Sequence, residues 1–154
     1  MKSKRAEFPL PYEVRIQYVR PLFKDMVHIK SSYSAYETIQ SFIKGSNLDY
    51  KEHSWVMLLT RSNRLLGISH ISMGSVSGTV VSTMELLQLA ILSHSSGIIL
   101  IHNHPSGCLK FSDADLKLSH GIQEAMKHIE IQLVDHLVIT SEYYVSMADE
   151  GLLV

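Results

Sequence analysis

His102 and His104 stand two residues apart at the end of the apolar run Ile98-Ile99-Leu100-Ile101. Side chains alternate faces along a strand, so two imidazoles at i and i+2 point the same way and can converge on one cation. Farther along, Asp115 falls in the first turn of a predicted helix opened by Ser112. Helical side chains lean toward the helix N-terminus, which aims this carboxylate back at the loop carrying the histidines. Two imidazoles and one carboxylate make three protein ligands, the count typical of a catalytic zinc with a position left for water. By itself Ser112-x-x-Asp115 reads as a capping box. The two readings are compatible, because a cap fixes the turn that presents Asp115.

Hydrolysis at such a site needs a further carboxylate, not itself a ligand, to accept a proton from the attacking water. Help of this kind is typically worth roughly 10²- to 10⁴-fold in rate. Glu52 and Glu85 are the upstream candidates. Glu85 has a local role as the third helical residue of Ser82-Thr83-Met84-Glu85, a second capping box. Glu52 stands just before the apolar run Trp55-Val56-Met57-Leu58-Leu59, where no cap accounts for it. His136 has no spacing partner that makes it a ligand, and Asp135-His136 reads as structural support for the site. Cys108 reads as an ordinary loop thiol. His28, His53, His70, His94, His120 and His128 are scattered and read as surface or internally satisfied histidines.

These residues need elements to hold them. Residues 1–30 carry Pro9, Pro11 and Pro21 with Arg15, Arg20 and Lys24 and show no sustained period, so they read as an arm, with one domain over 31–154. Tyr36, Ile39, Phe42 and Ile43 predict a helix over 31–43, stopped by Gly45. Trp55–Leu59 and Leu65–Ile71, separated by the polar Arg61-Ser62-Asn63-Arg64, predict a hairpin with a buried first strand. Residues 72–81 read as a loop or short strand. A helix is expected over 83–96 with Gly97 as its terminator. A short strand follows over 98–102, then a turn over 103–107. The helix from Ser112 shows a stripe of Leu118, Ile122, Ala125 and Ile129. Strands over 131–140 and 143–147 close the chain. Helices and strands alternate, so the fold class is α/β or α+β.

Composition narrows the function. The 154 residues include 14 Lys and Arg against 15 Asp and Glu, a formal charge of -1, and 45% are hydrophobic. A chain of this length and polarity builds one core and is not globally disordered. The near-neutral balance and the lack of an aromatic-basic interleave argue against binding nucleic acid through bulk charge. No His-x-Glu is accompanied by a Pro-Cys-x-x-Cys, since Cys108 is the single cysteine, and a zinc nucleobase deaminase is excluded. No apolar stretch is long enough to span a bilayer, and one cysteine forms no internal disulfide. A cytoplasmic protein without a membrane partner is expected.

His102-x-His104, seven residues, Ser112, two residues and Asp115 match the JAMM signature of the JAB/MPN metalloprotease domains. Ile101-His102-Asn103-His104-Pro105-Ser106-Gly107 and Val134-Asp135-His136-Leu137-Val138-Ile139 resemble the bacterial RadC-like branch, historically labelled a DNA repair protein. The resemblance runs from Ile29 to the C-terminus. It implies a mixed sheet flanked by helices, laid out like a cytidine deaminase. It further implies Zn²⁺ on His102, His104 and Asp115, and peptidase or isopeptidase chemistry on a peptide or protein substrate. The family's glutamate stands three residues before the position of Trp55, which assigns the base to Glu52. Its serine, here Ser112, donates to the developing oxyanion, a donor worth about 2.7–4 kcal/mol where measured. The alternative that the label implies is a repair-associated protein acting through a nucleic acid or protein partner. Two departures stand out: Cys108-Leu109-Lys110-Phe111 replaces an acidic residue and prolines, and residues 1–30 are at most a remnant of the N-terminal helical region of full-length relatives.

Overall fold

A computed structural model describes residues 17–74 and 81–153. After a 3-10 turn at Phe23–Asp25 the order is α1 (Ser32–Phe42), β1 (His53–Leu59), β2 (Leu65–Met73), α2 (Thr83–Leu92), β3 (Gly97–Asn103), α3 (Asp113–Lys127), β4 (Gln132–Ile139) and β5 (Tyr144–Ser146). One five-stranded sheet runs β2-β1-β3-β4-β5. Among the described residues its one parallel pair is β3 with β4, joined through α3; the other neighbours are antiparallel. The architecture is the mixed sheet flanked by helices expected above.

Strand alternation sorts the apolar side chains into two layers. Trp55, Met57, Leu59, Ile99, Ile101, Leu137 and Ile139 face α1, where Ala35 and Ile39 meet them. Val56, Leu58, Ile98, Leu100 and Leu133 face Leu86 and Ala90 of α2 and Ile122 and Met126 of α3. Every residue of β3 is buried, as a central strand covered on both faces requires.

Several elements differ from the sequence reading. The helix expected over 83–96 ends at Leu92, and His94, at φ +53, takes the left-handed turn assigned to Gly97. Gly97 instead opens β3. Ser93 and Ser95 hydroxyls cap the preceding carbonyls of Leu89 and Ala90, which satisfies the helix end early. On α3 the buried positions are Ser119, Ile122 and Met126, and Ile129 lies beyond the helix, 37% exposed. Of residues 72–81, Ser72 and Met73 finish β2, and 75–80 lie outside the described residues. So do residues 1–16 of the predicted arm. The rest of that arm lies on the domain: Met26 and Ile29 are buried, the Leu65 N–H donates to Val27, and the Tyr18 hydroxyl donates to the Leu66 carbonyl. Among the described residues no helix is long and apolar enough to cross a membrane.

Candidate metal centre

The carboxyl end of the parallel β3–β4 pair, where α3 begins, is where open α/β sheets leave a crevice for ligands. His102 ends the buried run of β3, and His104 follows the strand on the same side. Asp115 occupies the first turn of α3. The Nε2 atoms of His102 and His104 lie 3.0 Å apart. Asp115 Oδ1 lies 3.2 Å from His102 Nε2, and Oδ2 lies 3.9 Å from His104 Nε2. Among the described residues, this trio is the one set of His, Cys, Asp and Glu side chains whose ligand atoms all fall within 4.8 Å of one another.

Each member is fixed from behind. Ser112 caps α3 in both directions: its Oγ accepts from the Asp115 N–H at 3.2 Å, and its own N–H and hydroxyl donate to Asp115 Oδ2, both at 2.7 Å. The predicted capping box and carboxylate ligand therefore coincide in one turn. Burial would raise the Asp115 carboxyl, but His102 and the two Ser112 bonds outweigh it and hold the group well below the usual carboxylate range. The His104 Nδ1–H donates to the Cys108 carbonyl at 2.7 Å. A carbonyl only accepts, so neutral His104 carries its proton on Nδ1 and leaves Nε2 bare.

His102 is set by a longer chain. Its Nδ1 lies 2.8 Å from His136 Nε2, and His136 Nδ1 lies 2.7 Å from Ser119 Oγ. His136 is fully buried. Burial first, and then the charge of His102, push it down to about 3, so it stays neutral at ordinary pH. When His136 donates to Ser119, its Nε2 accepts from His102 Nδ1, and a His102 that has given up its second proton then has Nε2 bare as well. In these tautomers the neutral imidazoles turn their Nε2 atoms to the point shared with Asp115, a donor set that suits zinc.

His136 reaches this position through an irregularity in β4. Ile98 pairs with Leu133, but Ile99 pairs with Asp135, so one extra residue is accommodated at Val134. A one-residue slip exchanges the two faces of a strand. Here it turns His136, opposite Leu100, toward the face that carries His102.

Asn103 points the other way. Its Oδ1 accepts from the His53 N–H at 2.7 Å, and its Nδ2 donates to the Leu48 and Lys51 carbonyls at 2.6 and 2.8 Å. The segment so held carries Glu52, one residue before β1. Glu52 lines an open cavity of about 540 Å³ together with His104, Ser112, Tyr50, Cys108 and Lys110. Glu85 belongs to α2, where its N–H donates to Ser82 Oγ, and it is not among the residues lining that cavity.

The match to a family model decides the kinship: the RadC-like JAB domain model covers residues 29–152. The chain belongs to the RadC-like JAB domain family. A UPF0758 protein of Clostridium acetobutylicum is 37% identical over 84% of this chain and 55% of its own length. Those of Flavobacterium johnsoniae and Porphyromonas gingivalis are 36% and 38% identical over 80% and 81% of the chain, and 53% and 54% of their own lengths. The RadC-like domain thus spans about half the length of the curated relatives it matches.

Sequence reasoning passed over three residues around this centre. From sequence Asn103 reads as a turn residue, Ser119 belongs to no motif, and His136 reads only as support. Ser119 left a faint signal, a hydroxyl four residues after Asp115 on the buried face of the helix. The partners of Asn103 and His136 lie far off along the chain and left none.

Proposed function

We propose that this RadC-like JAB domain is a zinc-dependent hydrolase of amide bonds, peptide or isopeptide. His102, His104 and Asp115 hold the metal, and Glu52 is the general base. The reading rests on two imidazole Nε2 atoms and a carboxylate meeting at one point, beside a cavity that His104 and Glu52 both line. When bound, zinc supplies Lewis-acid activation of water, lowering its pKa to about 7.

The chain's own groups do the rest. Glu52 takes a proton from the attacking water as the C–O bond forms. It returns that proton to the leaving nitrogen as the C–N bond breaks, which yields a carboxylic acid and an amine. Ser112 holds Asp115 in its first turn, and its hydroxyl, on the lining of the same cavity, is the candidate donor to the developing oxyanion. That hydroxyl now donates to Asp115 Oδ2, so it serves the oxyanion only after turning from the carboxylate. A reducing cytoplasm suits a chain whose single thiol, Cys108, stands exposed on the same cavity.

Zinc quantification on wild type and Asp115→Ala, followed by a peptide-library cleavage screen, tests the proposal. One equivalent of zinc is expected for wild type and none for the variant. Glu52→Gln should keep its zinc and lose roughly 10²- to 10⁴-fold in turnover. Hydrolysis by Glu52→Gln at the wild-type rate removes Glu52 from the mechanism. Salt-sensitive DNA binding without amide hydrolysis would favour the nucleic-acid reading instead.

A further inference from the structure

Asn103 sits between the two histidines of the metal centre, and strand alternation sends its side chain to the opposite face of the sheet. It is fully buried and makes three short hydrogen bonds, all to backbone groups of one segment. Two of them grip the peptide units on either side of a single residue: the carbonyl of Lys51 and the N–H of His53. That residue is Glu52. Turning the amide over would set a carbonyl oxygen against two carbonyls and an NH₂ against an N–H, so all three bonds fix one orientation.

We propose that Asn103 is the positioning residue that fixes the Glu52 carboxyl relative to the His102–His104–Asp115 cluster. The inference rests on the reading of Glu52 as general base. The segment from Ile43 to Glu52 is irregular and has no ladder of its own before β1 begins. The bond from the Gly74 N–H to the Glu52 carbonyl ties it to β2, an edge strand that carries no ligand. Asn103 ties it to the strand that does. The proposed base and the two histidines are thereby referenced to one stretch of chain, His102 to His104, at the end of β3. A misplacement of about 1 Å at a reacting group can cost on the order of 10²-fold in rate.

Asn103→Ala and the milder Asn103→Ser are the variants to compare. Zinc affinity should stay within threefold of wild type in both, because β3 pairing places His102 and His104 without the amide. Turnover of a fluorogenic peptide found in the library screen should fall ten- to hundredfold in Asn103→Ala, with most of the loss in kcat. In a Glu52→Gln background the same substitution should cost less than threefold, since the group it positions is gone. Hydrogen exchange on the metal-free protein gives a readout independent of activity. The His53 amide and residues 48–53 should exchange faster, while the amides of β3 keep their protection.

Equal losses in the two backgrounds would overturn the proposal, as would zinc affinity falling with turnover, faster exchange spread over the sheet, or unfolding of both variants. If wild type cleaves no peptide, the hydrolase reading fails on that result, and the exchange pattern still decides the placement of residues 48–53 by Asn103.

Discussion

On the proposed zinc reading, His136 is a residue outside the ligand set that decides how one ligand is presented. A neutral imidazole has one proton and two nitrogens, and a metal ligand must keep the facing nitrogen bare. When Ser119 accepts the proton of His136 on one side, the other nitrogen, 2.8 Å from His102 Nδ1, is free to accept that of His102. Carboxylates and carbonyls more often occupy this place behind a ligand histidine. An imidazole held neutral by burial orients the ring without adding a charge. His136→Phe keeps the volume and removes the acceptor, leaving the His102 Nδ1–H unpaired. Zinc affinity, measured by competition with a chromogenic chelator near neutral pH, should fall about ten- to hundredfold. His136→Gln can present its Oε1 near the position of the lost Nε2 and should recover part of that loss. Wild-type affinity in His136→Phe would show that the ring of His102 is oriented by something else.

At the scale of elements, the irregularity of β4 is the feature on which the centre depends, and Gly97 makes room for it. A Cβ added at Gly97 would lie 2.8 Å from Cγ2 of Val134, the extra residue itself. Val134 is branched at Cβ and has little rotamer freedom with which to withdraw. Gly97→Ala should therefore destabilise the domain by about 1–3 kcal/mol, as overpacking does, read as a lower urea midpoint at unchanged slope. Combining it with Val134→Ala should restore most of the midpoint; no recovery would place the strain elsewhere. This irregularity also marks where the sequence stops being readable. Apolar runs announce β1, β3 and β4, and period 2 with an N-cap brings His102, His104 and Asp115 together, because those signals lie within a strand or a turn. Nothing local says that β4 carries an extra residue, and that residue alone aims His136 at His102, 34 positions away. The end of α2 was misplaced for a related reason. Gly97 looks like a terminator, yet serine hydroxyls had already closed the helix and the sheet needed the glycine.

For the molecule as a whole, packing polar groups between the sheet and α3 ties stability to pH. His136 is pushed down to about 3 by burial and then by the charges of His102 and His104, against the opposing pull of Asp115. An unfolded histidine titrates near 6.5. Between about pH 6.5 and 3 the unfolded chain therefore binds a proton at this position that the folded chain refuses, and stability falls as pH falls. Asp115 acts in the same direction in a lower window, because its depressed carboxyl contributes stability that is lost only below the ordinary carboxylate range. From pH 7 to 5 the histidine dominates, with a limiting slope of about 1.4 kcal/mol per pH unit and a loss of about 2 kcal/mol by pH 5. His53 is lowered by burial, His70 and Lys51 at a far more open position, so its share persists when His136 is replaced. Urea midpoints of the metal-free protein at pH 7, 6 and 5 should decline steeply for wild type and much less for His136→Phe. Parallel declines in the two proteins would mean that the buried imidazole accepts its proton without opening the core, and that the chain from Ser119 to His102 yields to acid before the fold does.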